Sequence, residues 1–253
     1  MQSFLALFFL GILQGVTEFL PVSSSGHLVL FSKIFGIDES LFVSVVLHFA
    51  TLLSILVMLR KEVWQIVRHP FSKLSIQLIA ATIPTCLIVL ILMPIVKKSF
   101  SGVMLPLCFF LCAIILLVAD MLSKKKAQKP FDLKTAVIMG IAQGLAVFPG
   151  ISRSGTTISA GLLAGGDKKE TAKFSFLMSI PIIFLSLVME IFEFCTGAEK
   201  ITVKFLPLAC SFVAAFVVGI FAIKIMLKLT ERANLKWFSL YLILISILSL
   251  FLI

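Results

Sequence analysis

Residues 11–28, GILQGVTEFLPVSSSGHL, begin and end in strongly apolar sequence. Between those ends they carry a carboxylate at Glu18, an imidazole at His27 and three consecutive serines. An ionised side chain at the centre of a bilayer costs about 2.5 to 3.5 kcal/mol on insertion scales, so such groups usually face a cavity and serve a function. The stretch therefore raises the question of what Glu18 and His27 do in so apolar a chain.

The composition around this stretch is that of a membrane protein. The chain has 253 residues, of which 60% are hydrophobic and 13% charged, and its mean hydropathy is +1.16. Soluble domains keep about a quarter of their residues charged, so these values exclude an ordinary soluble fold. The five cysteines form no CxxC pair and nearly all lie in apolar runs, which indicates packing thiols instead of a redox or metal site.

Six segments are long and apolar enough to cross a bilayer core, which needs about 20 residues per helix. They are 41–59, 74–93, 103–122, 174–194, 205–227 and 237–253. Two further apolar regions, 4–13 and 136–148, have about half that length, and a polar stretch rich in Ser, Gly and Pro follows each. Such a pattern is typical of re-entrant helix–loop–helix hairpins. The predicted fold is an all-α polytopic membrane protein with six transmembrane helices and two re-entrant hairpins.

The two irregular regions are copies of each other. Residues 11–26 and 140–155 align without a gap, at an offset of 129, and share eight identities. Three predicted spans follow each copy, and a hairpin returns to its own side of the bilayer. The second copy then starts on the opposite face, so the sequence predicts inverted-topology repeats, about 1–122 and 134–253, within one integral-membrane domain.

The positions of lysine and arginine predict how this layout is oriented. If the first, third and fifth spans run inward, sixteen of these residues fall on the inner side, five on the outer side, and Arg153 on neither. Because cytoplasmic loops carry an excess of Lys and Arg, both termini and the first re-entrant loop are predicted to be extracytoplasmic. The formal net charge of +10 is then mostly an orientation signal, and nucleic acid is not expected as a partner.

Alignment of the two copies predicts a composite site. Three positions carry an ionisable group in only one of the copies: Glu18 against Val147, Ser24 against Arg153, and His27 against Thr156. Hydroxyls, backbone N–H groups freed by glycine and helix N-termini together favour an anion. The polar groups expected to bind it are Gln14, Ser23, Ser25, Gly26, Ser152, Ser154, Gly155, Thr156 and Thr157.

Phosphate is the anion that this set of residues suits, because the planar fork of arginine matches phosphate oxygens and stays charged at any working pH. Glu18 is expected to activate a nucleophile or hold a divalent cation, and His27 to donate a proton to the leaving oxygen. The nucleophile is Ser24, His27 or a water. The structural alternative is a plain salt bridge between Glu18 and Arg153, which would not need so many neighbouring hydroxyls.

Two stretches resemble the signature motifs of a known family: QGVTEFLPVSSSGHL at 14–28 and PGISRSGTT at 149–157. They are similar to those of the bacterial undecaprenyl-diphosphate phosphatase family, also called bacitracin-resistance proteins. LHFATLLSILVMLR from Leu47 and TAKFSFLMSIP from Thr171 resemble further blocks of that family. The chain departs from the family pattern at Ala50, where a glycine is more usual.

The resemblance implies hydrolysis of undecaprenyl diphosphate to the monophosphate and inorganic phosphate, which recycles the lipid carrier of cell-wall synthesis in the bacterial cytoplasmic (inner) membrane. It implies that Glu18, His27 and Arg153 are essential and that Ser24 and Ser152 contribute. It also implies a divalent cation, Mg²⁺ or Ca²⁺, for which Glu18 and Gln14 are the candidate ligands.

A second function fits the same layout. Inverted repeats whose broken helices meet near the midplane are the usual architecture of secondary transporters. The site is therefore also compatible with a flippase that binds a polyprenyl phosphate head group for translocation. A polyprenyl lipid and the bilayer are the expected partners in either case.

Overall fold

The computed structural model describes residues 4–35, 41–99, 102–124, 129–197, 204–231 and 235–252. Within those ranges the chain forms eleven α-helices. They are α1 Phe4–Thr17, α2 Ser24–Phe35, α3 Leu41–Met58, α4 Arg60–Arg68, α5 Lys73–Ser99, α6 Leu105–Ser123, α7 Leu133–Leu145, α8 Arg153–Leu163, α9 Lys168–Thr196, α10 Phe205–Glu231 and α11 Lys236–Leu252. The predicted all-α class is confirmed.

Four of these helices are long and apolar enough to cross a membrane: α5, α6, α9 and α10. They match the predicted spans 74–93, 103–122, 174–194 and 205–227. The helix α3 meets the same criterion only together with α4, and the chain bends by 82° between the two. The last helix, α11, is apolar but has 17 residues. The structure therefore supports four spans, or five with the bent pair, and six stays a prediction.

The bend after α3 coincides with a change in chemistry along the chain. The apolar run of α3 ends at Met58, and α4 opens with Arg60, Lys61 and Glu62. Val63 and Ile66 of α4 pack against the main core, whereas Trp64 is exposed and stacks under the Arg68 guanidinium at 4.6 Å. Charged side chains next to an aromatic ring are typical of a helix at a membrane interface. The change of direction between α3 and α4 therefore lies where the apolar sequence ends.

The two half-length regions each form a short helix, a turn and a second short helix. The helix α1 ends at Thr17 and a turn over 18–23 leads to α2, whereas α7 ends at Leu145 and a turn over 146–152 leads to α8. Asp132 caps α7 by accepting the Thr135 N–H at 2.8 Å, and hydrogen bonding to Thr135 lowers the pKa of Asp132. Each of these four helices is too short to span a bilayer alone, so the polar turn between the two helices of a pair cannot lie beyond a complete span.

The short helices of each half pack on a long helix of the other half. The helix α1 lies against α10, and α7 lies against α5. Ser211 Oγ of α10 donates to the Leu7 carbonyl at 2.7 Å, and Thr85 Oγ1 of α5 donates to the Gly140 carbonyl at 2.8 Å. A Cβ at Gly15 would lie 2.7 Å from a backbone oxygen of α10, so glycine permits this close approach. The halves of the chain therefore interlock.

The largest buried cluster anchors the first turn. It includes Phe19 of that turn, Phe109 of α6, Ile158 of α8 and Phe176 of α9. The rings of Phe19 and Phe176 meet edge to face with centroids 5.7 Å apart. Because Phe19 is fixed in this core, the neighbouring Glu18 is held in a defined position.

Candidate active site

The two turns hold each other by reciprocal hydrogen bonds. The backbone N–H of Gly150 in the second turn donates to Ser23 Oγ in the first at 3.0 Å. In return, Ser154 Oγ at the start of α8 donates to the carbonyl oxygen of Leu20 at 3.0 Å. Residues that are 127 and 134 positions apart in sequence are thereby joined. The structure brings the two motifs into direct contact.

Glycines at equivalent positions of the two motifs make this contact close. A Cβ at Gly26 would lie 2.7 Å from the backbone nitrogen of Gly150, and one at Gly155 would lie 3.0 Å from Pro21 Cβ. Ser23 takes the left-handed conformation, with φ of 71°, to present its hydroxyl to the second turn. Gly26 and Gly155, which the sequence predicts as parts of an anion-binding nest, thus lie where one turn packs on the other.

A buried carboxylate lies at the junction of the motifs. Arg153 Nη2 donates to Glu18 Oε1. Ser24 Oγ donates to Glu18 Oε2 at 2.6 Å, and Gln14 Nε2 donates to the same oxygen at 3.1 Å. The side chain of Glu18 is 5% exposed and that of Arg153 is 19% exposed. Donors from α1, α2 and α8 therefore converge on one carboxylate, and its arginine partner keeps an exposed part.

The ion pair that the structural alternative requires is therefore present, together with groups that a simple salt bridge does not explain. Ser24, a partly exposed hydroxyl, is bonded to the same carboxylate. Within the described part of the chain, Gln14 Oε1 and Thr156 Oγ1 are buried and have no hydrogen-bond partner. Five further side-chain oxygens of the described residues are unpartnered in the same way, including Gln143 Oε1 at the position equivalent to Gln14. Gln14 Oε1 differs from them because it lies on the amide that bonds to Glu18.

His27 lies beside this cluster but its hydrogen bonds go elsewhere. The ring is fully buried, with Nδ1 2.7 Å from the Ser23 carbonyl oxygen and Nε2 2.7 Å from the Tyr241 hydroxyl oxygen. Phe109 covers the ring edge to face at a centroid distance of 5.3 Å. Both ring nitrogens are thus engaged by protein groups. Proton donation from His27 to a leaving oxygen stays a prediction.

The hydroxyls of the second motif hold the start of α8. Ser152 Oγ caps this helix by accepting the Gly155 N–H at 3.1 Å and lies 3.2 Å from Ser154 Oγ. Thr157 Oγ1 donates to the Arg153 carbonyl at 2.8 Å. These hydrogen bonds set the position of the Arg153 backbone. In the first motif, Ser25 is partly exposed beside Ser24.

One residue that contacts the site has no signal in the motifs. Tyr241, the single tyrosine of the chain, reaches His27 from α11. The only sequence signal for Tyr241 is its isolation in an apolar helix.

The oxygen atoms at the junction suit a hard divalent cation. Gln14 Oε1 and the Glu18 carboxylate are ligand types that Mg²⁺ and Ca²⁺ prefer. Among the described residues no group of three or more His, Cys, Asp or Glu side chains lies together. Since Mg²⁺ usually keeps several waters and is bound through one or two carboxylates, a single carboxylate with a neighbouring amide oxygen fits such an ion.

Comparison with known proteins places the chain in one family. The family model described as bacitracin resistance protein BacA matches residues 7–248. A protein named undecaprenyl-diphosphatase from Carboxydothermus hydrogenoformans is 41% identical over 95% of this chain and 94% of its own. Proteins with the same name from Christiangramia forsetii and Thermosipho melanesiensis are 40% and 38% identical, over 92% and 95% of this chain and 91% and 96% of theirs. Because the match includes both motifs and nearly every helix, the chain belongs to the BacA family of bacitracin resistance proteins.

Proposed function

We propose that the protein is an undecaprenyl-diphosphatase, which hydrolyses undecaprenyl diphosphate to undecaprenyl phosphate and inorganic phosphate. The observation that carries the proposal is the cluster of Arg153, Glu18 and Ser24, which joins the two motifs. Relatives that match over at least 92% of the chain are named for this activity. A guanidinium, a carboxylate and a hydroxyl in contact are the groups that phosphoryl transfer needs for charge stabilisation and nucleophile activation.

In this proposal, Arg153 binds the terminal phosphate. Only Nη2 donates to Glu18, and the partly exposed guanidinium carries further N–H donors for phosphate oxygens. Arg153 is also the first residue of α8, so the helix N-terminus favours an anion at the same place. The residue thus supplies positive charge where negative charge develops in the transition state.

Ser24 is the nucleophile that the geometry favours. Its hydroxyl already donates to Glu18 at 2.6 Å, so the carboxylate is placed to take the proton as Ser24 Oγ bonds to the terminal phosphorus. The bond from that phosphorus to the bridging oxygen breaks, undecaprenyl phosphate leaves, and water then hydrolyses the phosphoserine. A water activated by Glu18 is the alternative attacking group. His27 is disfavoured as nucleophile because both of its nitrogens have protein partners.

A divalent cation, Mg²⁺ or Ca²⁺, is proposed to accompany the substrate. Gln14 Oε1, which lacks a partner among the described residues, and the Glu18 carboxylate would hold it. When bound, such an ion neutralises charge on the diphosphate oxygens. The protein residues keep their own tasks, with Arg153 binding phosphate and Glu18 accepting the proton from Ser24.

Phosphate release by the purified protein tests this function. Undecaprenyl diphosphate should yield inorganic phosphate and undecaprenyl phosphate should not. Ser24→Ala should lower the rate by about 100-fold if Ser24 attacks, because the nucleophile is lost, and acid quenching should trap labelled phosphoserine only in the wild type. Ser72→Ala removes a hydroxyl outside the site and serves as the control.

Two outcomes would contradict the proposed activity, and a third would change only the assignment of the nucleophile. Absence of phosphate release from the diphosphate by wild-type protein would remove the assigned activity. Movement of undecaprenyl phosphate between leaflets of a liposome without hydrolysis would instead favour the flippase function. An active Ser24→Ala variant would assign the attack to water.

We further propose that the fold comprises six transmembrane helices and two re-entrant hairpins in inverted-topology repeats. The packing of α1 on α10 and of α7 on α5 supports this, because each half offers the equivalent surface to the other. The distribution of Lys and Arg supports an extracytoplasmic first turn in the cytoplasmic membrane. Substrate would then enter from the extracytoplasmic side.

Labelling of single cysteines tests this orientation. In a background without the five native cysteines, Ser25→Cys should react with an impermeant thiol reagent added to intact cells. Lys134→Cys, on the exposed first turn of α7, should react only after the membrane is permeabilised. The opposite labelling pattern would reverse the proposed orientation.

A further inference from the structure

The contact between Tyr241 and His27 joins the two ends of the chain. The residues are 214 positions apart, and the Tyr241 hydroxyl oxygen lies 2.7 Å from His27 Nε2. The two rings are nearly parallel, with an interplanar angle of 6° and centroids 5.6 Å apart. Phe109 of α6 covers the imidazole from another side. The last helix therefore contributes a polar group directly to a residue of the first motif.

The partners of His27 determine which nitrogen carries the hydrogen. The Ser23 carbonyl oxygen can only accept, so the nearby Nδ1 must bear the N–H. In the neutral ring Nε2 then carries a lone pair, and the Tyr241 hydroxyl donates to it. If the ring is protonated, the N–H at Nε2 donates to the Tyr241 oxygen instead. One hydroxyl thus serves both states of the imidazole.

The same contact continues to the reacting groups. Ser23, whose carbonyl accepts from His27, also accepts the Gly150 N–H through its hydroxyl. Ser24 follows directly and donates to Glu18. The Tyr241 hydroxyl, the imidazole and Ser23 therefore form a continuous support that ends one residue from the proposed nucleophile.

We propose that Tyr241 is a positioning residue for the diphosphatase reaction. The Ser23 carbonyl sets the Nδ1–H tautomer, the Tyr241 hydroxyl holds the ring in one orientation, and His27 in turn fixes the backbone that carries Ser24. This inference rests on the proposed function and assigns His27 a supporting task. Histidines that bind metals are oriented in a similar way, because a hydrogen bond to the second ring nitrogen fixes the position of the ring.

Kinetics of Tyr241→Phe test the proposal. The variant keeps the ring and removes one oxygen atom, which leaves Nε2 buried without its partner. We expect kcat for undecaprenyl diphosphate to fall about tenfold, since a lost buried hydrogen bond has an effect of that order, and KM to stay within about twofold. Ser239→Ala is the matched control, because the Ser239 hydroxyl lies on the same helix and donates to the Ala113 carbonyl at 2.7 Å.

The control separates positioning from helix packing. Ser239→Ala should leave kcat within about twofold of the wild type, because it removes a buried hydroxyl without touching His27. An equal fall in kcat for both variants would show that any loosening of α11 suffices, and would overturn the proposal. An unchanged kcat in Tyr241→Phe would do the same.

A spectroscopic measurement works without substrate. The chain has three histidines, so nitrogen-15 labelling of histidine, with His48→Gln and His69→Gln for assignment, isolates the His27 signals. Wild-type protein should show a protonated Nδ1 and a hydrogen-bonded, unprotonated Nε2, and the Nε2 resonance should shift in Tyr241→Phe. An Nε2 resonance identical in both proteins would overturn the proposal.

The two measurements also distinguish this inference from the function on which it rests. Wild-type protein without phosphate release would refute the diphosphatase function, whereas the tautomer of His27 would still be measurable. If Tyr241→Phe fails to fold, the wild-type spectrum decides, since an unprotonated Nδ1 or an Nε2 without a hydrogen bond would refute the contact.

Discussion

Arg153→Ala is expected to lower phosphate release from undecaprenyl diphosphate by about 1000-fold or more, the scale at which arginine contributes to phosphoryl transfer. The variant removes the guanidinium that would bind the terminal phosphate. It also leaves the Glu18 carboxylate, whose side chain is 5% exposed, without its ionic partner. Loss of one member of a buried pair costs about 3 to 5 kcal/mol, so the melting temperature in detergent should fall as well.

Two further variants separate catalysis from stability. Arg153→Lys keeps a positive charge but loses the planar fork, so we expect partial activity. Combining Arg153→Ala with Glu18→Gln removes the uncompensated charge, and should restore thermal stability but not phosphate release. Recovery of activity in the double variant would show that Arg153 only compensates Glu18, as the structural alternative holds.

Glu18→Gln is expected to reduce kcat by at least about 100-fold while the fold is retained. The amide has nearly the same shape but only one accepting oxygen, so it can accept from Arg153 or from Ser24 but not from both, and it cannot take up the Ser24 proton. The loss of stability should be smaller than in Arg153→Ala, because the Arg153 side chain is 19% exposed and remains partly solvated. Phosphate release and thermal unfolding measured on the same preparation check both statements.

A matched exchange outside the site controls for the change of charge. Glu62 of α4 pairs with Lys173 at 2.8 Å and is 24% exposed. Glu62→Gln should therefore leave kcat within about twofold of the wild type, since exposed ion pairs contribute little. If Glu18→Gln behaved like this control, the assignment of Glu18 as the proton acceptor would be wrong.

Much of the fold followed from hydropathy and from the internal copy. The long apolar runs predicted α5, α6, α9 and α10, because helices in lipid must satisfy their own backbone and reach across the bilayer. The 82° bend after α3 was not predicted, since hydropathy records where an apolar run ends but not where the chain then goes. The carboxylate of Glu18, the imidazole of His27 and the guanidinium of Arg153 were predicted to form one composite site. Of these, Glu18 and Arg153 are in direct contact.

The finer geometry of the site depends on contacts that no local pattern reports. The orientation of His27 is set by Ser23 and by Tyr241, and the latter is 214 residues away. Gly26 and Gly155, which are predicted to help bind an anion, also lie where the two turns pack: a Cβ at Gly26 would lie 2.7 Å from the Gly150 nitrogen, and one at Gly155 would lie 3.0 Å from Pro21 Cβ. The orientation of His27 and the close packing at the two glycines both depend on residues distant in sequence, and the pattern of a single sequence does not show which distant residues are in contact.

The ion pair between Glu18 and Arg153 can form only late in synthesis, because its two members are 135 residues apart in the chain. At about 5 to 20 residues per second, the ribosome needs on the order of ten seconds to deliver Arg153 after Glu18. During that interval the first half of the chain has neither Arg153 to pair with Glu18 nor α10 to pack on α1. A chain truncated before Arg153 thus lacks both the ionic partner of Glu18 and the helix on which α1 packs, so the first half is not expected to fold by itself.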